Sequence, residues 1–169
     1  MDCQRELESE NTDFKSFSAL LYERYDLSYP KFFKMDELCK LGILGAHILF
    51  SKLAEKEYSQ DTAVILSTKT GCLYSDLRHY KSIQNSEKYF PSPAEFVYTL
   101  PNIVVGEICI KHNLLGESTC FITETPEDEM VKSYIENLFI AEKTTYCLVG
   151  WLDFRESSYN CQFSLIKKN

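Results

Sequence analysis

The sequence predicts an α/β fold in which helices cover a sheet of at least four strands. Short apolar runs alternate with segments of helical period, and two strong strands follow each other at the C-terminal end. The 169 residues are 44% hydrophobic and 14% aromatic, which is enough to bury a core without disulfides or metals. We therefore treat residues 1–169 as a single domain.

The individual elements follow from apolar spacing. Residues 1–30 are polar and then aromatic, and the spacing from Phe14 to Tyr25 is helical. Gly42 and Gly45 lie on the apolar face of a strong helix, so we expect that face to pack closely against another backbone. The predicted helices are 34–58, 75–85, 94–113 (with Pro101 near a break) and 126–142; the predicted strands are 61–67, 118–123, 144–153 and 159–167.

Charge and hydropathy exclude several classes of function. The formal net charge is -7, which argues against nucleic acid and against anionic membrane surfaces as partners. No apolar run approaches bilayer length, and the acidic start has no signal-peptide pattern. We expect a cytoplasmic protein.

Seven cysteines are dispersed singly, without a C-x-x-C pair. Odd and scattered cysteines are typical of reduced core thiols rather than disulfides or zinc ligands. We therefore expect neither a metal nor a cofactor. The positions are Cys3, Cys39, Cys72, Cys109, Cys120, Cys147 and Cys161.

The stretch GESTCFITETPEDEM, residues 116–130, reads as a strand breaking directly into a helix start. Thr125 fits an N-cap, Pro126 the first helical position, and Asp128 the third helical position of a capping box. The acids after Pro126 suit the positive end of the helix dipole. Capping alone accounts for these residues.

A nucleophile in residues 116–130 would need a base, and all three histidines lie in other segments. Nearby carboxylates would oppose a thiolate, and Cys120 is in mid-strand, as expected of a buried small hydrophobe. His112, near a helix end, is the histidine of most interest; we expect it to interact with the terminal carbonyl groups of that helix.

Four segments, residues 33–50, 63–83, 93–118 and 147–154, together resemble a known family: FKMDELCKLGILGAHILF, AVILSTKTGCLYSDLRHYKSI, PAEFVYTLPNIVVGEICIKHNLLGES and CLVGWLDF. Their order and spacing are similar to the N-terminal half of a β-ketoacyl-acyl-carrier-protein synthase, of the thiolase superfamily. The resemblance implies a thiolase-like half, a layered α/β/α fold with a mixed sheet of four to five strands. It leaves residues 1–30 as a divergent N-terminal segment, where the family's opening strand is not evident.

In that family a Gly-Pro-Ser turn leads into the strand that delivers the nucleophilic cysteine. When this sequence is aligned with the family pattern without gaps, Gly116 to Ser118 matches this turn and Gly150-Trp151 matches a later Gly-Gly. The family's cysteine position then falls on Thr125. The family's two catalytic histidines come from a second half that these residues do not include. The resemblance therefore carries over no catalytic residue.

The resulting hypothesis is a catalytically inactive partner subunit in fatty-acid, polyketide or polyene biosynthesis. It would form a homodimer or a complex with a full-length ketosynthase, and an acyl-carrier protein could dock on Lys31, Lys34 and Lys40. One alternative is a small acyltransferase or thioester hydrolase that uses Cys120, Cys72 or a histidine. Another is a stand-alone homo-oligomer that binds a ligand.

Two surfaces are expected to need a partner. In the resembled fold the nucleophile strand lies at a sheet edge and pairs across a dimer, and residues 118–123 contain no lysine or proline to discourage pairing. The helix from Leu38 to Leu53 is expected to show an unpacked apolar face. We therefore predict that the protein does not function as a monomer.

Overall fold

Four strands form one mixed sheet in the computed structural model, which describes residues 13–53, 58–84, 91–156 and 158–168. The strand order is β2-β1-β3-β4, with β1 parallel to β2 and β3, and β4 antiparallel to β3. The strands are β1 (Ala63–Thr68), β2 (Ser118–Ile122), β3 (Tyr146–Arg155) and β4 (Ser158–Lys167). The helices are α1 (Phe14–Arg24), α2 (Glu37–Phe50), α3 (Leu73–Ile83), α4 (Pro93–Val97), α5 (Ile103–His112) and α6 (Glu129–Ile140), with a 3₁₀ helix at Pro30–Lys34.

Helices cover both faces of the sheet, so the predicted α/β/α layering and the mixed sheet are confirmed. The larger core lies between the sheet and helices α2 and α5. A smaller core lies under α6, where Val131, Ile135 and Leu138 pack on Ala63 and Ile65 of β1. All six residues of β1 are buried, as expected for a strand covered on both faces.

Helix α2 owes its start to a buried carboxylate. Asp36 accepts hydrogen bonds from the Cys39 amide at 2.9 Å and from the Ser75 hydroxyl at 2.6 Å. The first bond satisfies an N–H group that the helix itself leaves unpaired, and the second ties α2 to α3.

Two expectations about α2 are wrong. Its glycines make room for side chains rather than for another backbone: a Cβ at Gly42 would lie 2.3 Å from Val104 Cγ2, and one at Gly45 would lie 2.5 Å from Cys161 Sγ. The face that we expected to be unpacked is covered by α5, α1 and the β3–β4 hairpin. Because these elements fill the space over α2, the helix offers no large apolar surface to a partner.

The N-terminal segment contains α1 rather than a strand, although residues 1–12 lie outside the described part of the chain. Phe14 packs edge-on against Phe154 and Tyr159, with ring centroids 4.9 and 5.0 Å away. Within the described residues no strand precedes β1, and β1 pairs directly with β3.

Several boundaries also differ from the predicted ones. The predicted helix 94–113 is two helices, α4 and α5, and the predicted break near Pro101 is confirmed: the missing amide hydrogen and fixed φ of proline favour it. β3 continues to Arg155, so Gly150 lies in mid-strand rather than at a strand end. A Cβ at Gly150 would lie 2.5 Å from Phe163 and 2.7 Å from Leu66, so close packing accounts for the glycine. None of the described helices has the length and hydropathy needed to cross a bilayer.

Candidate functional site

The 116–130 stretch lies where the parallel strands β1 and β2 end. Thr68 and Ile122 are paired in register, and the Thr123 amide donates to the Thr68 carbonyl at 3.0 Å. Open α/β sheets bind ligands at the carboxyl ends of such strands. We call residues 116–130 the corner and test it as the candidate site.

The helix after the corner starts three residues later than predicted. Asp128 is the N-cap of α6, and its carboxylate accepts from the amides of Met130 at 2.9 Å and Val131 at 3.3 Å. Thr125 and Pro126 lie in the turn before it. The prediction that Thr125 caps the helix is wrong, because a carboxylate that reaches two free amides is the stronger cap.

We expect Asp128→Ala to lower the free energy of unfolding by about 1 kcal/mol, since two helix amides lose their acceptor. Thr125→Ala should change it by less than about 0.5 kcal/mol, as for other exposed sites. Urea unfolding of both variants measures the difference. A larger loss for Thr125→Ala than for Asp128→Ala would contradict this helix start.

Thr125, the position that the resemblance assigns to the nucleophile, is exposed in this turn. Its carbonyl accepts from the Thr123 hydroxyl at 3.0 Å. Around it Glu124 pairs with Lys69 at 2.8 Å, and Glu129 pairs with Lys132. The corner therefore presents carboxylates toward solvent, a setting that disfavours an oxyanion or a thiolate.

Gly116 and Ser118 form the entry into β2. A Cβ at Gly116 would lie 2.4 Å from the Asp61 carbonyl oxygen and 2.5 Å from that of Thr62. The neighbouring Glu117 carbonyl accepts from the Val64 amide at 2.8 Å. The glycine is thus required for the backbone of this turn to lie against the start of β1.

The candidate thiols have pKa values that oppose a nucleophilic role. Burial raises the pKa of Cys120 to about 11. Burial, together with Asp36, raises the pKa of Cys72 to about 12. A thiol needs a lowered pKa to be largely ionised near neutral pH. None of the six cysteines in the described ranges forms a disulfide.

His112 lies at the end of α5, and its ring contacts are with α2. Its ring centroid is 4.5 Å from that of Phe50 and 5.8 Å from that of His47. Within the described residues its Nε2 atom is buried without a hydrogen-bond partner. The expected interaction with the helix carbonyls stays a prediction. Burial, His47 and Lys111 lower the pKa of His112 to about 3.

Sequence reasoning missed a carboxylate at the end of β3 that organises the neighbouring turn. Asp153 accepts from the Thr70 amide at 2.8 Å and from the Thr70 hydroxyl at 2.6 Å, and Arg155 lies 3.3 Å away. Burial alone would raise the pKa of Asp153, but these hydrogen bonds and Arg155 lower it. The sequence did contain a signal for this residue, since an acidic side chain near the end of an apolar strand is unusual.

The fold is that of ketosynthase and chain length factor chains. The chain aligns with the ishigamide ketosynthase/chain length factor at a TM-score of 0.70 and 18% identity, covering 87% of this chain and 47% of that one. It also aligns with a ketosynthase (ApeO) in complex with its chain length factor (ApeC) from Xenorhabdus doucetiae, at a TM-score of 0.63 and 13% identity. That alignment covers 96% of this chain and 74% of the other.

This chain thus spans about half the length of the first of these proteins. By sequence alone, no protein-family model and no curated protein matches it. The likeness is one of fold: the described strands and helices have the thiolase-like, ketosynthase-related arrangement that the sequence predicted.

Proposed function

We propose that this protein is a non-catalytic β-ketoacyl synthase-like subunit that pairs with a full-length ketosynthase in fatty-acid, polyketide or polyene biosynthesis. The observation that carries the proposal is the edge of β2, which pairs with no second strand among the described residues, in a ketosynthase-related fold. Both similar structures carry the names of a ketosynthase and a chain length factor, and that pairing is the precedent for a partner subunit.

The edge of β2 is suited to pairing. The Val64 amide bonds to Glu117, and the Thr123 amide bonds to Thr68, so alternate residues of β2 face β1. The amides of Ser118, Cys120 and Ile122 therefore point away from the sheet. An edge with free backbone groups and no charge within it invites a further strand.

Exposed apolar residues beside the edge support a protein partner. Leu73, Leu77 and Tyr80 share one face of α3, at helical spacing, and each is about half exposed. A Cβ placed at Gly71 would lie 3.4 Å from Ile122 Cδ1, so the turn that leads into α3 touches the end of β2. Phe96, Val97 and Leu100 are exposed as well, on and just after α4, which contacts α3. Exposed apolar side chains on neighbouring elements are a feature of interaction sites when they form a contiguous patch.

The chemistry of the corner supports the non-catalytic part of the proposal. Thr125 occupies the family's nucleophile position by the ungapped match, and carboxylates surround it. The raised pKa values of Cys120 and Cys72 argue against the alternative of an acyltransferase or hydrolase built on these thiols. An acidic corner is also a poor docking surface for an acidic carrier protein.

The docking site that we propose for an acyl-carrier protein lies away from the corner, at the 3₁₀ helix. Lys31 and Lys34 are one turn apart in the 3₁₀ helix and so lie on the same side of it. Lys31 forms an ion pair with the buried Glu107, while Lys34 is exposed and Lys40 is partly exposed. The local positive charge therefore comes mainly from Lys34 and Lys40.

Co-expression with a full-length ketosynthase encoded in the same gene neighbourhood tests the proposal. We expect the two chains to co-elute, with a light-scattering mass equal to the sum of the two. The chain expressed alone gives the reference mass. A mixture that elutes as separate species at micromolar concentration would refute the partnership. A dimer of this chain that excludes the ketosynthase would favour the homo-oligomer alternative.

A further inference from the structure

Two histidines far apart in the sequence form a stacked pair where α1, α2 and α5 end. His47 lies in the last turn of α2, and His112 is the last residue of α5. Their ring centroids are 5.8 Å apart, and the ring planes differ by 30°. The proposed function makes no use of either ring.

The surroundings of the pair indicate which ring nitrogens carry a hydrogen. His47 Nε2 lies 3.0 Å from the Tyr25 carbonyl oxygen at the C-cap of α1, so this nitrogen carries a hydrogen and donates it. His112 Nε2 is buried and has no partner among the described residues. Buried N–H groups without an acceptor are rarer in proteins than buried acceptors without a donor. The geometry therefore suits a neutral His112.

Among the residues that the structure describes, no carboxylate faces His112 to compensate a proton on its ring. Its ring lies against Phe50, which in turn packs on Tyr58 at a centroid distance of 4.4 Å. The titratable groups that face it are His47 on α2 and Lys111 on α5, and both oppose a second positive charge. Beyond Tyr25 the end of α1 contributes Arg24 and Asp26, and no hydrogen bond or ion pair joins either of these described residues to the two rings.

We propose that the stacked His47–His112 pair is an acid-sensitive lock that holds the ends of α1, α2 and α5 together at neutral pH and loosens on acidification. Protonation of His112 requires its ring to leave the stack, because both ring nitrogens of the cation must donate. Loss of the stack removes the support for His47, and with it the contact to Tyr25. The lock belongs to this chain alone and does not depend on a ketosynthase partner.

The sign and size of the effect follow from linkage. The pKa of His112 is about 3 in the folded protein against 6.5 for a free histidine, so the open form binds more protons below pH 6.5. The closed junction therefore becomes less stable as the pH falls from about 6.5 toward 3. The ratio of the closed to the open junction should therefore fall about 25-fold between pH 7 and pH 5.

Native-state hydrogen exchange of the full chain, corrected for the intrinsic effect of pH on exchange, measures this opening. The reporting amides are those of Tyr25, Leu27, Ser51 and Leu114, each hydrogen-bonded at a helix end beside the pair. In wild type we expect their protection to fall ten- to thirtyfold between pH 7 and pH 5. The pH-dependent loss should disappear in His112→Phe, which keeps an aromatic ring against Phe50 without a titratable group.

His79→Phe is the matched control, because His79 lies on α3 next to Phe96 and outside the pair. It should keep the wild-type response. Protection that changes less than twofold in wild type, or that falls equally in His112→Phe, would overturn the proposal. Should His112→Phe fail to fold, an NMR titration of wild type decides: a neutral His112 at pH 5 supports the lock, and a titration midpoint near 6.5 refutes it.

Discussion

Gly116→Ala is expected to lower the free energy of unfolding by about 3 kcal/mol or to prevent folding. The new Cβ would lie 2.4 Å from the Asp61 carbonyl oxygen and 2.5 Å from that of Thr62. Both are backbone atoms directly before β1, a buried inner strand of the sheet, so they cannot move as the end of a side chain could. Overpacking usually costs 1 to 3 kcal/mol, and about 3 fits a rigid neighbour.

Gly106→Ala is the matched control for this substitution. Gly106 lies in α5, and a Cβ there would meet nothing within 4 Å of it. Alanine is the better helix former, so this variant should gain about 0.5 to 1 kcal/mol. Urea unfolding of both variants gives the comparison. Equal stability of Gly116→Ala and wild type would show that the turn does not lie against β1 as described.

The second large effect is expected at the sheet edge. Ile122→Lys should weaken the complex with a ketosynthase at least a hundredfold, because it places a charge on an edge that must pair and lose water. Ile122 is 58% exposed, so the free chain should keep its stability. Cys120→Lys is a less informative change, since Cys120 packs against the larger core and its loss would disturb the fold itself.

Ile140→Lys provides the control for the edge variant. Ile140 ends α6 and is 77% exposed, so it presents as much apolar surface to solvent without belonging to β2. Titration of each variant against the ketosynthase by calorimetry gives the two affinities. Equal affinity of Ile122→Lys and wild type would remove β2 from the interface.

The parts of the fold that could be predicted from the sequence were those with regular apolar patterns. β1 and α6 bury the residues that their spacing indicated, including Ile65, Val131 and Ile135. Met130 was placed in the same stripe and is instead exposed, since it lies in the first turn, at the helix end. Periodicity assigns a residue to a face of a helix but does not show where a neighbouring element stops covering that face.

The errors came from contacts that the local sequence does not contain. Thr125 and Asp128 are both good N-caps by residue type, and only the path of the turn selects Asp128. The glycines of α2 indicated close packing, but its partners, Val104 and Cys161, lie about 60 and 116 positions further along the chain. A sequence pattern cannot reveal such pairs, and the same holds for His47 and His112.

The most direct test of a non-catalytic ketosynthase partner is the intact mass of both chains after a mixture of this protein, a full-length ketosynthase and an acyl thioester has reacted. We expect the acyl mass on the ketosynthase alone, because the resemblance assigns the nucleophile position to Thr125 and because the pKa values of Cys120 and Cys72 are raised. A stoichiometric acyl adduct on this chain, lost when Cys120 or Cys72 is replaced by serine, would contradict the proposal.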